Sequence, residues 1–266
     1  MIRKILVFTF LIAIISSVNA DGLKAYLSYA AFNTPDNNPY LETYLTVKGS
    51  SVNHMLVDEK YQGTVEVQII FKQNDSIVNF AKYELAGPLV DDTVSGILNF
   101  LDVQRYSLGN GTFDIEVKLN DKNSVQEAII SFDQYSIDFP ENMNSISDIE
   151  FLSSFALSDG DDNFSRNGYR LIPYVFNYFP ENANTLSFYS ELYNNELENG
   201  EGYLLTYFIR SFEVDKKIDN FSFAKRKTIG SVNPILGTID INNLPSGNYL
   251  LVIEARNNFG DFLLSK

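Results

Sequence analysis

Leu108-Gly109-Asn110-Gly111-Thr112-Phe113-Asp114-Ile115-Glu116-Val117-Lys118-Leu119-Asn120-Asp121 returns 136 residues later as Leu244-Pro245-Ser246-Gly247-Asn248-Tyr249-Leu250-Leu251-Val252-Ile253-Glu254-Ala255-Arg256-Asn257. The leucines, the glycines three residues on, the aromatics after them and the alternating apolar positions all align. A glycine before a strand admits a positive φ or a tight turn. The aromatic that opens the strand can pack at a sandwich corner, as a tyrosine corner does. The element reads as structural, and its repetition predicts tandem β-domains.

The flanking sequence supports this reading. Tyr40 to Val47 alternates, with Tyr40, Glu42, Tyr44 and Thr46 on one face and Leu41, Thr43, Leu45 and Val47 on the other. Leu23 to Tyr29 begins a strand, and Thr64 to Phe71 and Ser76 to Tyr83 form a hairpin around Gln73-Asn74-Asp75. Leu98 to Tyr106, Thr112 to Leu119 and Val125 to Phe132 complete the first set. Further on, Asn167-Gly168 is a hairpin cue, and Thr185 to Tyr193, Tyr203 to Phe212, Phe221 to Lys227 and Gly237 to Ile241 are strand-like. The 136-residue offset places a final strand from Asp261, short or cut at Lys266. The expected fold is all-β: two tandem immunoglobulin-like antiparallel β-sandwiches after an N-terminal signal peptide helix. The domains run over 21–134 and 148–266, the second cut short at its C-terminus, with a linker at 135–147 containing Pro140, Glu141, Asn142 and Asn144.

Arg3 and Lys4 precede the uncharged stretch Ile5 to Val18, and Val18-Asn19-Ala20 offers small residues for cleavage. This predicts a signal peptide over 1–20 and a mature chain from Asp21, exported to the periplasm, the outer cell surface or the exterior. The apolar stretch is shorter than the ~20 residues of a membrane-spanning helix. The mature chain has 18 Lys+Arg against 34 Asp+Glu, a net charge of −16. That balance argues against nucleic acid, whose phosphates need a basic footprint, and against an anionic membrane surface. Without cysteine, each domain depends on its own core, and the lack of disulfides leans towards a bacterial envelope.

Few residues carry chemistry. His54 is the only histidine, in a polar stretch read as a solvated loop, so a Ser-His-Asp triad or a His-based zinc site has no support. Asp159, Asp161, Asp162 and Asn163 offer oxygen ligands for Ca²⁺, but Phe164 and Arg170 stand where an EF-hand needs Gly and Glu. A plain acidic turn is preferred to a looser calcium loop. Glu42 and Glu191 sit in similar strands beside Tyr44 and Tyr189, yet belong to different domains, and an exposed strand face accounts for both. A glycosidase would need two carboxylates at a set separation. Gly109-Asn110-Gly111 lacks the third glycine and following helix of a phosphate loop. Lys216, Lys217, Lys225, Arg226 and Lys227 are read as guards of a sheet edge. No catalytic, cofactor-binding or metal residue is assigned, and no cofactor is expected.

Several stretches resemble the N-terminal region of the exported GWxTD domain-containing proteins of Gram-negative bacteria. They are Leu23-Lys24-Ala25-Tyr26-Leu27 with Phe32-Asn33, Pro39 to Leu45, Tyr61-Gln62-Gly63, Asp102 to Tyr106 and the Leu108 to Asp121 element. Asp148 to Leu152, Asn167-Gly168-Tyr169 with Pro173, and Phe188 to Tyr193 extend the likeness over nearly all of the mature chain. The resemblance implies β-sandwich modules followed by a domain with a Gly-Trp-x-Thr-Asp signature. This chain has no Trp, so the resemblance implies a truncated or degenerate member. The expected function is non-enzymatic: contacts with other envelope or extracellular proteins. The alternative is a carbohydrate-binding accessory module, which would show several exposed tyrosines in one groove.

Overall fold

The period-2 pattern of Tyr40–Val47 becomes a central strand buried on both faces, and the architecture follows from that. The computed structural model describes residues 22–93, 97–141, 143–194 and 201–266. The expected signal segment 1–20, Asp21 and Asn142 lie outside the described residues. The chain is all-β. Its first half holds β1 (Ala25–Phe32), β2 (Tyr40–Val47), β3 (His54–Val57), β4 (Lys60–Gln73), β5 (Ser76–Ala86), β6 (Phe100–Ser107), β7 (Gly111–Asp121) and β8 (Ile129–Ile137). The second holds β9 (Ser145–Ile146), β10 (Glu150–Leu157), β11 (Ser165–Arg166), β12 (Tyr169–Pro173), β13 (Thr185–Tyr193), β14 (Gly202–Ser211), β15 (Lys217–Thr228), β16 (Val232–Asp240), β17 (Tyr249–Asn257) and β18 (Phe262–Ser265). Among the described residues no helix is long and apolar enough to cross a membrane.

All strand pairings between these elements are antiparallel. In the first half the order β1-β2-β6 faces a sheet in which β4 lies between β5 and β7, with β8 beyond β7. In the second half β10-β13-β16 and β15-β14-β17-β18 repeat those two orders strand for strand. Leu41, Leu45, Val67, Ile69, Ile115 and Val117 belong to the core between the first pair of sheets. Leu186, Phe188, Leu205, Ile235 and Ile253 belong to the core between the second pair. A third apolar cluster, including Phe32, Tyr44, Val103, Leu152, Leu171 and Tyr189, joins the two halves. The face of β2 opposite to its core therefore packs against the second half.

The repeated element occupies matching strands, β7 and β17, but its two glycines act differently. Gly111 has φ 142°, and a Cβ there would lie 2.2 Å from the Gln73 side chain. Gly247 has no positive φ; a Cβ there would crowd the Tyr249 hydroxyl at 3.2 Å. That hydroxyl donates to the Pro245 carbonyl at 2.7 Å, the tyrosine-corner bond that Phe113 cannot make. Tyr249→Phe should lower stability by about 1 kcal/mol, the net worth of one neutral hydrogen bond, in urea unfolding. An unchanged midpoint would mean that the bond does not hold the corner.

Some boundaries moved. The eighth strand begins at Ile129 rather than Val125, because Asp121 accepts from the N–H groups of Asn123 (2.9 Å) and Asn53 (2.8 Å) and prolongs the turn. It runs to Ile137, into the expected linker, and Ser145–Ile146 at the linker's other end pairs with β13. His54 is not in a solvated loop: it opens β3, half-buried, with Nδ1 2.9 Å from the Val52 carbonyl. The last strand spans four residues, against nine in β8.

Candidate functional site

The densest polar constellation lies between the two halves, and strand alternation builds it. Glu42 and Tyr44 point from β2 towards the second half, while Tyr189, Glu191 and Tyr193 occupy one face of β13. The matching sequences are Tyr40-Leu41-Glu42-Thr43-Tyr44 and Tyr189-Ser190-Glu191-Leu192-Tyr193. Glu150 in β10 pairs with Tyr189 across the sheet. Arg166 arrives on the short β11, folded back by the Asn167-Gly168 turn, whose φ values are 47° and 80°. Turns of this positive-φ kind favour Asn-Gly.

Glu42, Glu150 and Glu191 are 0%, 4% and 2% exposed. Glu42 accepts from Arg105 on Oε1 at 2.5 Å and from Tyr44 on Oε2 at 2.7 Å, and the Arg166 guanidinium binds that same Oε2. Glu191 accepts from Tyr189 (2.7 Å), Tyr193 (2.6 Å) and Asn167 (2.9 Å). Arg166 lies 3.7 Å from Glu150 and 4.0 Å from Glu191. Its guanidinium stacks over the Phe32 ring from the first half at 3.8 Å and near the Tyr189 ring from the second at 5.1 Å. Arg105 also donates to the carbonyls of Asn163 and Ser165, and Asn163 donates to the Val103 carbonyl. These bonds cross from one half to the other.

Charge is not balanced if every group ionises: three carboxylates face two guanidiniums. Glu150 eases the excess. Burial, opposed by Arg166 and reinforced by Glu42, pushes its pKa up to about 8. At neutral pH burial thus favours the protonated form of Glu150, which lessens the excess of negative charge. Burial opposes the Arg166 cation, but Glu42, Tyr44, Tyr40 and Glu150 hold its pKa above the ordinary arginine value. Burial and then Glu191 raise Tyr189 and Tyr193, which remain phenols and donors.

The expectation of an exposed strand face for Glu42 and Glu191 is thus overturned. Both are buried, and Arg166 brings them into one cluster despite their positions in different halves. They are a carboxylate pair, but sealed, with their oxygens engaged by tyrosine, asparagine and arginine donors. Such a cluster can fix the relative placement of two sheets; a substrate cannot reach it without separating the halves. In the acidic loop one carboxylate, Asp162, is likewise committed. Asp162 is bound by Arg170 and accepts from Ser165 at 2.8 Å, and among the described residues no three His, Cys, Asp or Glu side chains group as metal ligands.

An aromatic run continues the same boundary. Tyr26 of β1 packs edge-on to Phe176 at 4.7 Å, Phe176 meets Tyr174 at 5.4 Å, and Tyr174 stacks on Phe179 at 4.9 Å. Tyr174 and Phe179 turn one face each towards the other, and the two remaining contacts are edge-on. Tyr26 and Tyr178 remain exposed beside them. Of the expected edge guards, Lys217, Lys225, Arg226 and Lys227 lie on β15, an outer strand of its sheet, and Lys216 just before it; Lys227 donates to the Pro234 carbonyl at 2.7 Å instead of standing free at the edge.

Fold and site together define the class: an all-β protein with two sheet pairs locked through a buried ionic cluster. Comparison with known proteins finds no matching family model and no matching curated relative.

Proposed function

We propose that this is an exported, non-enzymatic protein that binds other envelope or extracellular proteins, built as two tandem immunoglobulin-like sandwiches related to the GWxTD group. The observation that carries the reading is the use of the carboxylates: the cluster richest in reactive side chains is spent on joining the halves. The joint makes a rigid platform, and surface strands are left to contact partners. The matching strand orders of the two halves support the tandem arrangement.

Exposed Tyr26 and Tyr178 next to the aromatic run favour the second reading, a carbohydrate-binding accessory module. Photo-cross-linking in envelope extract, with the sites mapped by mass spectrometry, alongside a glycan array, separates the two. The expected result is saturable protein cross-links and no glycan signal. A glycan hit that Tyr26→Ala abolishes, with no protein cross-link, would overturn the first reading.

A further inference from the structure

The outer strands differ in how they are defended. Strand β15 carries Lys217, Lys225, Arg226 and Lys227. Strand β8 reads Ile-Ile-Ser-Phe-Asp-Gln-Tyr-Ser-Ile over nine residues, without Lys, Arg, Pro or Gly; its one charge, Asp133, is turned inward and accepts from Tyr29, and among the described residues the strand pairs along one side only, with β7. An edge strand leaves alternate backbone N–H and C=O groups unpaired and ready to receive another strand; natural proteins usually block such edges with charge, proline or a bulge. Here Ile130 is 52% and Phe132 73% exposed.

The two faces of β8 border different recesses. Ile129, Ser131 and Asp133 lie opposite Leu119, Val117 and Ile115 and share their core-facing side. On this side a recess of about 330 Å³ opens between β8 and β1, lined by Leu27, Leu45, Leu119 and Ile129 together with Ser131 and Asp133. Further along, the seam is closed by Tyr29, which donates to Asp133 at 3.0 Å, and by Tyr135, which donates to Asp148. Ile130, Phe132 and Gln134 lie opposite Lys118, Glu116 and Asp114 on the outer side. There a recess of about 470 Å³ is lined by Lys72, Asp114, Glu116, Phe132 and Gln134, and Asp133 borders it as well as the inner one. Lys72 is held by Glu116 at 3.0 Å, and Asp114 accepts only the neutral amide of Gln134 at 2.9 Å. The outer recess is therefore acidic.

A strand laid along the free edge of β8 would turn alternate side chains towards the inner recess, and on the outer side long side chains would have to reach over Phe132 and Gln134 to the recess above β7. We propose that β8 is a strand-addition site for an extended segment of a partner protein. That segment is aliphatic on its inward face and carries Lys or Arg on its outward face. Backbone bonds to β8 supply affinity, and the two unlike recesses supply specificity. Lys118, opposite Ile130, sets the register by repelling a cation there, so the basic residues belong beside Phe132 and Gln134. This deepens the protein-binding reading and rests on it.

The test uses the full chain and a blocked peptide of alternating valine and lysine, with an alternating valine and glutamate peptide as control. Hydrogen exchange followed by mass spectrometry should show the Ile129–Ile137 amides slowed by about tenfold with the lysine peptide, and unchanged with the control. Ile129→Lys, which puts an ammonium among the leucines at the mouth of the inner recess, should weaken binding by about tenfold or more; Phe132→Lys, on the exposed face, should do the same through charge if the first variant does not fold. Three results would overturn the proposal: no protection of β8, equal protection by both peptides, or a dimer of this chain in sedimentation that Phe132→Lys dissociates. Protein cross-links mapping elsewhere on the surface would refute the β8 site while leaving the protein-binding reading intact.

Discussion

Arg166→Met is expected to destabilise the protein by about 3–5 kcal/mol, the usual cost of removing one partner from a buried ionic group. The reason is geometric. The Arg166 side chain is 9% exposed, bound to Glu42, and flanked by Glu150 at 3.7 Å and Glu191 at 4.0 Å. Methionine can keep the packing against Phe32 and Tyr189, but it leaves the anions with Arg105 as their remaining cation. For a chain of this size the melting temperature should fall by roughly 10 °C. Adding Glu42→Gln should recover part of the loss, because the uncompensated charge is then smaller. The double variant would be non-additive by about 0.5–3 kcal/mol, as expected for groups in direct contact. Arg170→Met, which removes an exposed pair with Asp162 and a cation contact with the Phe164 ring, should have a much smaller effect on the melting temperature. Equal effects for Arg166→Met and Arg170→Met, or strict additivity with Glu42→Gln, would show that the cluster does not hold the halves together.

Strand identity was legible because period 2 is a strong signal. Thr185–Tyr193 matches its strand residue for residue, and the Asn74-Asp75 and Asn167-Gly168 turns appear with the positive φ values that their composition suggests. The fate of the polar face was not legible. Alternation says that Tyr40, Glu42, Tyr44 and Thr46 share a side; it does not say whether that side meets water or another sheet. A face bearing glutamate and tyrosine reads as solvent-exposed, because an isolated buried carboxylate is costly. What offsets the cost is Arg166, more than 120 residues from Glu42 in sequence and brought in by a two-residue strand with no periodicity of its own. One signal was available: Tyr-x-Glu-x-Tyr occurs at both 40–44 and 189–193. Two strands carrying the same unusual polar face could have been read as two surfaces meeting. The β8 edge was missed for a simpler reason, since the pattern placed the strand four residues early and took its last three residues as linker.

Glu150 makes the joint sensitive to pH, and the direction follows from linkage. Its carboxyl titrates near 4.5 when unfolded and at about 8 in the folded chain, where burial raises it against the pull of Arg166 and Arg105 and with the push of Glu42. Between these values the folded protein holds a proton that the unfolded chain has released. Stability must then fall as pH rises, by about 1 kcal/mol per pH unit for this group, and level off above the folded value. The opposite slope belongs to carboxylates stabilised by folding, and those lose their contribution at acid pH. Glu150→Gln replaces the protonated acid with a neutral group of similar shape. It should flatten the profile over that window and leave the variant more stable than the parent at the alkaline end. Urea midpoints measured at intervals from about pH 5.5 to 8.5 would show the two curves diverging as pH rises. Parallel curves would mean that Glu150 ionises in the folded state without penalty, leaving three anions to be balanced by Arg166 and Arg105. The Arg166→Met experiment would then have to account for the joint without a proton in it.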